Sequence, residues 1–153
     1  MIRWLDENNK ADLAEVADID VASYDPAWTV QDFRLVLKQK RAVPIIARRP
    51  WGAIDGYAIF TLYPSSIDIL RLAVKPSERG EGVGSLLLEA VMGRLDEKRR
   101  RVCHIEVPDT HLAGHLFLKR HGFQAIKMVE DRLVRGRHVY LFRKMIGAPV
   151  KAR

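Results

Sequence analysis

The sequence predicts a single α/β (α+β) domain over residues 1–153, with a mixed, mostly antiparallel central sheet of about six or seven strands flanked by about four helices. The length and the 48% hydrophobic content suit one core. Stretches with apolar residues at helical spacing alternate with short runs rich in β-branched and aromatic residues. No repeat or low-complexity linker marks a domain boundary.

The first half of the chain is predicted to form a strand, two helices and a three-stranded meander. Thr29 is a good helix N-cap, and Asp32 stands three residues later in the position of a capping-box acid. The predicted strands are 2–5, 43–48, 56–63 and 67–74, and the helices run from about 10 to 21 and onward from Thr29.

The second half is predicted to alternate helices with strands. An amphipathic helix is expected over 83–95, a strand over 102–107 that stops at Pro108, and a helix over 111–121 that ends on Gly122. Two final strands, 123–129 and 137–145, are expected to form a hairpin around Arg135 and Gly136.

The charge and the cysteine content indicate which kinds of partner and which cellular compartment to expect. The 26 Lys and Arg against 19 Asp and Glu give a net charge of +7, which favours an anionic partner. The densest basic cluster, Lys98–Arg101, is interpreted as a solvated helix end, and no DNA-reading motif accompanies it, so no specific nucleic acid is expected. The single cysteine, Cys103, favours a reduced, cytoplasmic setting, and no apolar run is long enough to span a membrane.

Three glycines alternate at Gly80, Gly82 and Gly84, between a predicted strand and an amphipathic helix. Glycine lets a backbone approach a phosphate closely, and the helix N-terminus supplies partial positive charge, to which Arg79 adds a full one. The loop lacks the lysine of a Walker P-loop and fits the dinucleotide fingerprint poorly, although Glu106 lies near where a ribose-binding acid would stand. The spacing alone therefore predicts a phosphate cradle without naming the ligand.

The segment Leu72–Leu87 resembles the acetyl-CoA motif of the GNAT acetyltransferase superfamily, with Arg79-Gly80-Glu81-Gly82-Val83-Gly84 after a strand that ends in Val74-Lys75-Pro76. Further matches to that superfamily are Ile105-Glu106-Val107 and Phe117-Leu118-x-x-x-Gly122-Phe123. Together with Pro26-x-Trp28-Thr29-x-x-x-Phe33, they make the chain as a whole look most like the bacterial ribosomal-protein-alanine N-acetyltransferases. The resemblance implies an acetyl-CoA-dependent N-acetyltransferase that acts by direct attack in a ternary complex. The implied acceptor is a primary amine, with a protein N-terminal α-amine as the favoured candidate.

The resemblance also implies roles for particular residues. Glu106 would be the general base, and the Val74 or Ala73 amide would polarise the thioester carbonyl as an oxyanion donor. The pantetheine arm would pair like an extra strand beside Leu72, Ala73 and Val74. The other implied cofactor contacts are Arg79, Gly80, Glu81, Gly82, Val83, Gly84, Ser85, His111 and Arg120, the last of these at the 3′-phosphate.

Two positions depart from the family pattern. Leu118 stands where the family usually has a tyrosine that protonates the departing thiolate, and His111 stands where it tends to have asparagine. Tyr140, Tyr63, His111 or water are the candidate replacements for that acid. A non-catalytic acyl-CoA-binding regulatory module and an acetyltransferase for a small-molecule amine therefore stay as alternatives.

Metal and assembly expectations are limited. His111 and His115 are four residues apart, but no glutamate completes a zinc-protease pattern, so no metal site is expected. The expected oligomeric state is left between monomer and homodimer.

Overall fold

The structure, a computed structural model, describes residues 1–147. Within them the strands form a mostly antiparallel sheet in the order β1-β2-β3-β4-β5-β7-β6, which with four α-helices confirms the predicted fold class. The elements are β1 (Ile2–Trp4), α1 (Lys10–Val21), α2 (Val30–Leu37), β2 (Ala42–Arg48), β3 (Ile54–Leu62), β4 (Ser66–Val74), a 3₁₀ turn (Pro76–Glu78), α3 (Val83–Met92), β5 (Val102–Pro108), α4 (Leu112–Arg120), β6 (Gln124–Glu130) and β7 (His138–Met145). No helix within the described part of the chain has the length and apolar content needed to cross a bilayer.

The chain divides into two compact units. The first contains Met1–Leu62 and Ile69–Gly93, and the second contains Tyr63–Asp68 and the described residues from Arg94 onward. Strand β4 belongs to both, since it starts in the second unit and ends in the first. That residues 1–153 act as one domain stays a prediction.

In the first unit, β1, β2 and β3 pair in antiparallel register, with Arg3 opposite Ile46 and Val43 opposite Phe60. The helices α1 and α2 pack against this sheet because each carries one buried apolar face. The buried cluster consists of Leu5, Leu13, Val16, Ala17, Ile19, Phe33, Ile46, Ile54, Tyr57, Ile59 and Ala73.

The starts of both helices are capped by side chains. Asn9 accepts a hydrogen bond from the Asp12 amide at 3.0 Å, and Thr29 accepts one from the Asp32 amide at 3.1 Å. The Asp32 carboxylate accepts the Thr29 amide in return, at 2.9 Å, so the predicted capping box is confirmed. The capping box therefore fixes the residue at which α2 begins.

In the second unit, β7 lies between β5 and β6 and pairs antiparallel with both. The predicted hairpin is confirmed, and its loop is closed by an ion pair between Arg137 and Asp131 at 2.6 Å. Gly136 in this loop has φ +81°, a left-handed conformation that favours glycine. Most side chains of β6 are exposed, whereas Cys103 on β5 is fully buried.

The helix α3 ends at Met92 rather than at residue 95, because Gly93, a poor helix former, follows as its C-cap. The interpretation of Lys98–Arg101 as a helix end is therefore wrong, since the cluster lies in the loop between α3 and β5. Arg100 donates from Nε to the Tyr63 carbonyl at 2.6 Å, and Arg101 donates from Nε to the Ile146 carbonyl at 3.0 Å. These two arginines thus hydrogen-bond the loop before β5 to the backbone at Tyr63 and at Ile146.

Candidate functional site

The connection between β4 and α3 contains two glycines with left-handed backbone. Gly80 has φ +81° and Gly82 has φ +85°, and a Cβ built on either would meet no other atom within 4 Å. Conformation rather than crowding therefore calls for glycine at both positions, since a residue with a Cβ loses roughly 1–2 kcal/mol in the left-handed region. Gly84 differs from them, because it lies in the first turn of α3.

The N-terminus of α3 is directed into this loop. Gly82 is the N-cap residue and provides no side-chain cap, and the first intrahelical bond runs from the Leu86 amide to the Gly82 carbonyl at 3.0 Å. The amides of Val83 and Gly84 precede that bond, at the positive end of the helix dipole. Left-handed glycines followed by such a helix start make an anion-binding arrangement.

The side chain of Arg79 turns away from the glycines. Its Nε donates to the Val74 carbonyl at 3.2 Å, and its Nη2 donates to Ser23 Oγ at 3.0 Å and to the Ala22 carbonyl at 3.5 Å. Arg79 thus joins the start of the loop to the end of β4 and to the residues that follow α1. Its charge lies at the end of β4 rather than over the glycines.

A second arginine fixes the 3₁₀ turn that precedes the loop. Arg49 donates from Nε to both carboxylate oxygens of Asp55, at 2.7 and 2.9 Å, and from Nη2 to Glu78. The Lys75 amide donates to the Asp55 carbonyl at 2.7 Å. These contacts hold the backbone on either side of Pro76, and no spacing in the sequence predicted them.

The two edges of β4 are in different surroundings. The Ala73 carbonyl faces β3, since a Cβ on Gly56 would come within 2.8 Å of it. Because backbone polar groups alternate along a strand, those of Leu72 and Val74 face the opposite edge. There the Leu72 amide donates to Tyr24 Oη at 3.0 Å, and the Tyr24 hydroxyl donates to the Leu72 carbonyl at 3.1 Å. Burial raises the pKa of Tyr24 above its ordinary value, so the hydroxyl keeps its proton.

A buried charged cluster lies beside this edge. Asp20 is 0% exposed and accepts the Trp28 amide at 2.6 Å and the Tyr57 hydroxyl. Arg71 places Nε 3.6 Å from the Asp20 carboxylate, and its guanidinium lies 4.0 Å from the Tyr24 ring centroid and 4.4 Å from that of Trp28. Burial, and then the neighbouring Asp20 charge, raise the pKa of Tyr57. Sequence reasoning missed this cluster, although an aspartate on the apolar face of α1 was a visible signal.

The remaining candidate residues belong to the second unit. Glu106 is exposed on β5, between the buried Ile105 and Val107, and pairs in register with Leu141. Arg120 is the exposed last residue of α4, whereas Leu118 is only 2% exposed and belongs to the core. A hydroxyl-bearing side chain at position 118 would therefore be buried rather than exposed.

His111 and His115 have separate structural contacts. His111 is the N-cap of α4 and accepts the Gly114 amide on Nδ1 at 2.9 Å. His115 Nε2 lies 2.9 Å from the Pro108 carbonyl, and its ring packs edge-on against Tyr140 and Phe142. Among residues 1–147, no three histidine, cysteine or acidic side chains converge as a set of metal ligands.

A family model described as "Acetyltransferase (GNAT) domain" matches residues 41–125. A Bacillus subtilis (strain 168) protein that carries the provisional name ribosomal protein bS18-alanine N-acetyltransferase is 24% identical over 113 residues, which are 74% of this chain and 75% of that protein.

Two solved structures show how widely the fold is shared. The ribosomal-protein-S18-alanine N-acetyltransferase from Escherichia coli superimposes with a TM-score of 0.82 at 17% identity, over 99% of this chain and 96% of that chain. An aminoglycoside 6′-N-acetyltransferase complexed with coenzyme A superimposes with a TM-score of 0.77 at 12% identity, over 98% of this chain and 99% of that chain. The two proteins are named for acceptors of different chemistry, so the fold by itself does not identify an acceptor.

Proposed function

Because the chain belongs to the GNAT acetyltransferase family and is an acetyl-CoA-dependent N-acetyltransferase, we propose that it acetylates the α-amine of a protein N-terminus. The matched segment, residues 41–125, covers more than half of the chain and includes the glycine loop. The family predicted from the sequence, its activity and its acetyl-CoA donor are thereby confirmed. The residue roles and the acceptor given below are proposals.

The donor is proposed to bind along the end of β4 and over the glycine loop. The observation that carries this assignment is the pair of left-handed glycines, Gly80 and Gly82, followed by the uncapped start of α3. The pyrophosphate would accept hydrogen bonds from the amides of Gly80 to Ser85, Glu81 among them. The Arg79 amide, also predicted as a contact, donates instead to the Pro76 carbonyl at 3.4 Å. The pantetheine arm would lie along the edge of β4 that faces away from β3, beside Leu72 and Val74. Arg120 and His111 are kept as proposed contacts to the cofactor, His111 through ring atoms other than the capping Nδ1.

The Val74 amide is the better of the two proposed oxyanion donors. The N–H and C=O of one residue in an antiparallel strand point to the same edge, and the Ala73 carbonyl points to β3. The Ala73 amide is therefore directed away from the proposed donor position. Val74 presents its amide on the opposite edge, where it could stabilise charge that develops on the thioester oxygen.

Glu106 is proposed to act as the general base. An α-amine has a reference pKa of about 8, so roughly a tenth is neutral at pH 7, whereas lysine, at about 10.4, is almost wholly charged. Glu106 would accept the proton of the attacking amine, the nitrogen would bond to the carbonyl carbon, and the electron pair of the breaking C–S bond would pass to sulfur. Because Leu118 lies in the core, the proton that sulfur gains comes from another donor.

The proposed acceptor is supported by relatives rather than by site geometry. Both the Bacillus subtilis relative and the Escherichia coli structure carry names that specify an alanine of a ribosomal protein as the residue acetylated on nitrogen. A small-molecule amine is the second candidate acceptor, which the aminoglycoside enzyme's name favours. The cytoplasm stays the predicted location, on the basis of the single cysteine.

A matched pair of variants tests the donor assignment. Gly80→Ala and Gly136→Ala introduce the same side chain at the same φ of +81°, and neither Cβ meets an atom within 4 Å. Both should lose the same stability, but only Gly80→Ala should weaken acetyl-CoA binding in calorimetry, by at least about tenfold. Equal affinities in the two variants would remove the loop from the donor site.

A further inference from the structure

Backbone groups on the edge of β4 that faces away from β3 already have hydrogen-bond partners. Tyr24 Oη accepts the Leu72 amide at 3.0 Å and donates to the Leu72 carbonyl at 3.1 Å. Two residues further along the same edge, the Val74 carbonyl accepts Arg79 Nε at 3.2 Å. Three backbone groups beside which the pantetheine arm is proposed to lie thus already have side-chain partners.

Both of these side chains, Tyr24 and Arg79, belong to or contact one short segment that follows α1. Arg79 also donates to Ser23 Oγ and to the Ala22 carbonyl, and Tyr24 is the next residue. Further on, Arg71 Nη2 donates to the Pro26 carbonyl at 3.4 Å, and Asp20 accepts the Trp28 amide. We call residues 22–28 the 22–28 segment.

The guanidinium of Arg71 contacts two aromatic residues of this segment. It lies between the rings of Tyr24 and Trp28, at 4.0 and 4.4 Å from their centroids. Its Nε is a buried nitrogen for which the described residues offer no hydrogen-bond partner, and the nearest carboxylate oxygen of Asp20 is 3.6 Å away. A movement of the Tyr24 ring would therefore change the environment of both Arg71 and Trp28.

We propose that Tyr24 is a positioning residue that exchanges its hydrogen bonds with Leu72 for the arm of acetyl-CoA, and that this exchange shifts the 22–28 segment through Arg71 and Trp28. The inference rests on the proposed donor position beside Leu72 and Val74. One amide hydrogen pairs well with one acceptor, so the Leu72 amide bonds to Tyr24 or to the donor. Donor binding displaces the Tyr24 hydroxyl. The contacts of the Arg71 guanidinium with both rings transmit this displacement to Trp28.

The exchange predicts that removing the hydroxyl strengthens donor binding. Tyr24→Phe leaves the ring against Arg71 but frees the Leu72 groups, so acetyl-CoA no longer has to displace a partner. A net hydrogen bond corresponds to a change of roughly 3- to 10-fold in affinity. The acetyl-CoA Kd measured by calorimetry should fall by that factor, and the KM for acetyl-CoA should fall with it.

Trp28 gives a second readout in the same protein. The chain has 3 tryptophans, and Trp4 and Trp51 are 65% and 74% exposed, so replacing both by phenylalanine leaves Trp28 as the single reporter. Acetyl-CoA should change the emission of Trp28 in this background. The change should be smaller when Tyr24→Phe is added, because the bonds that donor binding breaks are already absent.

Tyr57→Phe is the matched control. It also removes one buried hydroxyl from the cluster around Asp20, but it leaves both Leu72 bonds in place. Its acetyl-CoA Kd should equal that of the unsubstituted protein, with thermal unfolding used to confirm that each variant is folded. Binding that Tyr24→Phe leaves unchanged or weakens, or a Trp28 emission that does not respond to acetyl-CoA, would overturn the exchange. Failure of the unsubstituted protein to bind acetyl-CoA would instead refute the proposed donor site.

Discussion

Two sets of polar side chains, one in each unit of the chain, lie in opposite surroundings. In the first unit, Asp20 and Arg71 are buried and contact each other, Tyr57 and the chain between α1 and α2. In the second unit, Glu106 and Arg120 lie on the surface. The same unit also holds Cys103, a buried thiol whose pKa burial raises to about 12.

Because of this difference, we expect substitutions in one set to change folding stability and substitutions in the other to change activity. A buried carboxylate with several partners has lost much of its hydration, so removing it leaves those partners unpaired in a poorly solvated place. An exposed carboxylate on a strand can be replaced with little effect on folding. We therefore expect substitutions in the buried polar cluster of the first unit to lower stability, and the Glu106 substitution in the second unit to lower activity alone.

The largest expected effect is on turnover. Glu106→Gln keeps the size of the side chain but removes its basicity, so kcat/KM for a peptide amine should fall by about 10²- to 10⁴-fold. Because Glu106 is exposed, the melting temperature should be unchanged within error. Rates measured against pH should show the lost activity partly restored at high pH, where the amine is already neutral. Turnover that is unaffected at neutral pH would remove Glu106 from the mechanism.

The next largest effect is on folding. Asp20→Ala removes the carboxylate that Arg71, Tyr57 and the Trp28 amide contact, and it should cost roughly 3–5 kcal/mol in urea unfolding. Asp18→Ala is the control, since Asp18 is an exposed residue of the same helix. Its effect should stay within about 0.5 kcal/mol. Equal losses from the two variants would contradict a structural role for the buried cluster.

A smaller effect concerns the buried thiol of the second unit. Burial and the Asp68 carboxylate raise the pKa of Cys103 to about 12, whereas an unfolded chain ionises its thiol at about 8.5. The folded state thus retains a proton that the unfolded state loses, and this contribution to stability is complete below about pH 8.5 and is lost as the pH rises toward 12. At pH 8, alkylation of the native protein should be at least about tenfold slower than in urea. Equal rates would show that Cys103 is accessible.

The smallest effect is at the hairpin loop. The Leu133 amide, and then Arg137, hold the pKa of Asp131 below its usual range. A lowered pKa gives stability that is present at neutral pH and is lost as the pH falls through the folded value. Asp131→Asn should therefore cost about 1 kcal/mol or less at pH 7, and the difference from the unsubstituted protein should vanish in acid. A difference in stability that persists at low pH would show that it comes from packing rather than from the charge of Asp131.

Local patterns were enough to predict the order of the elements. The Thr29 capping box, the bounds of α1 and the terminal hairpin each follow from a few neighbouring residues. The end of α3 was misplaced because Leu95 continues the apolar spacing beyond Gly93. Periodicity registers the apolar side chain but not the backbone preference of the glycine before it.

The candidate site was predictable only where a local motif builds it. The glycines at 80 and 82 are needed for a backbone conformation that the sequence itself signals. The contact of Tyr24 with Leu72 joins residues 48 positions apart in the chain, and the contact of Arg49 with Glu78 joins residues 29 apart. Such pairs depend on tertiary packing, which the spacing of a single sequence does not encode.

Transfer of a labelled acetyl group tests the central proposal most directly. The protein would be incubated with isotopically labelled acetyl-CoA and an alanine-initiated peptide that contains one lysine, beside an N-terminally blocked copy, with products located by tandem mass spectrometry. We predict label on the α-amine of the free peptide and none on the blocked copy. At limiting acetyl-CoA, Gly80→Ala should reduce this transfer by about tenfold or more, and Gly136→Ala should retain it. Label on the lysine alone, or no transfer by a protein that binds acetyl-CoA, would contradict the proposed N-terminal acetylation.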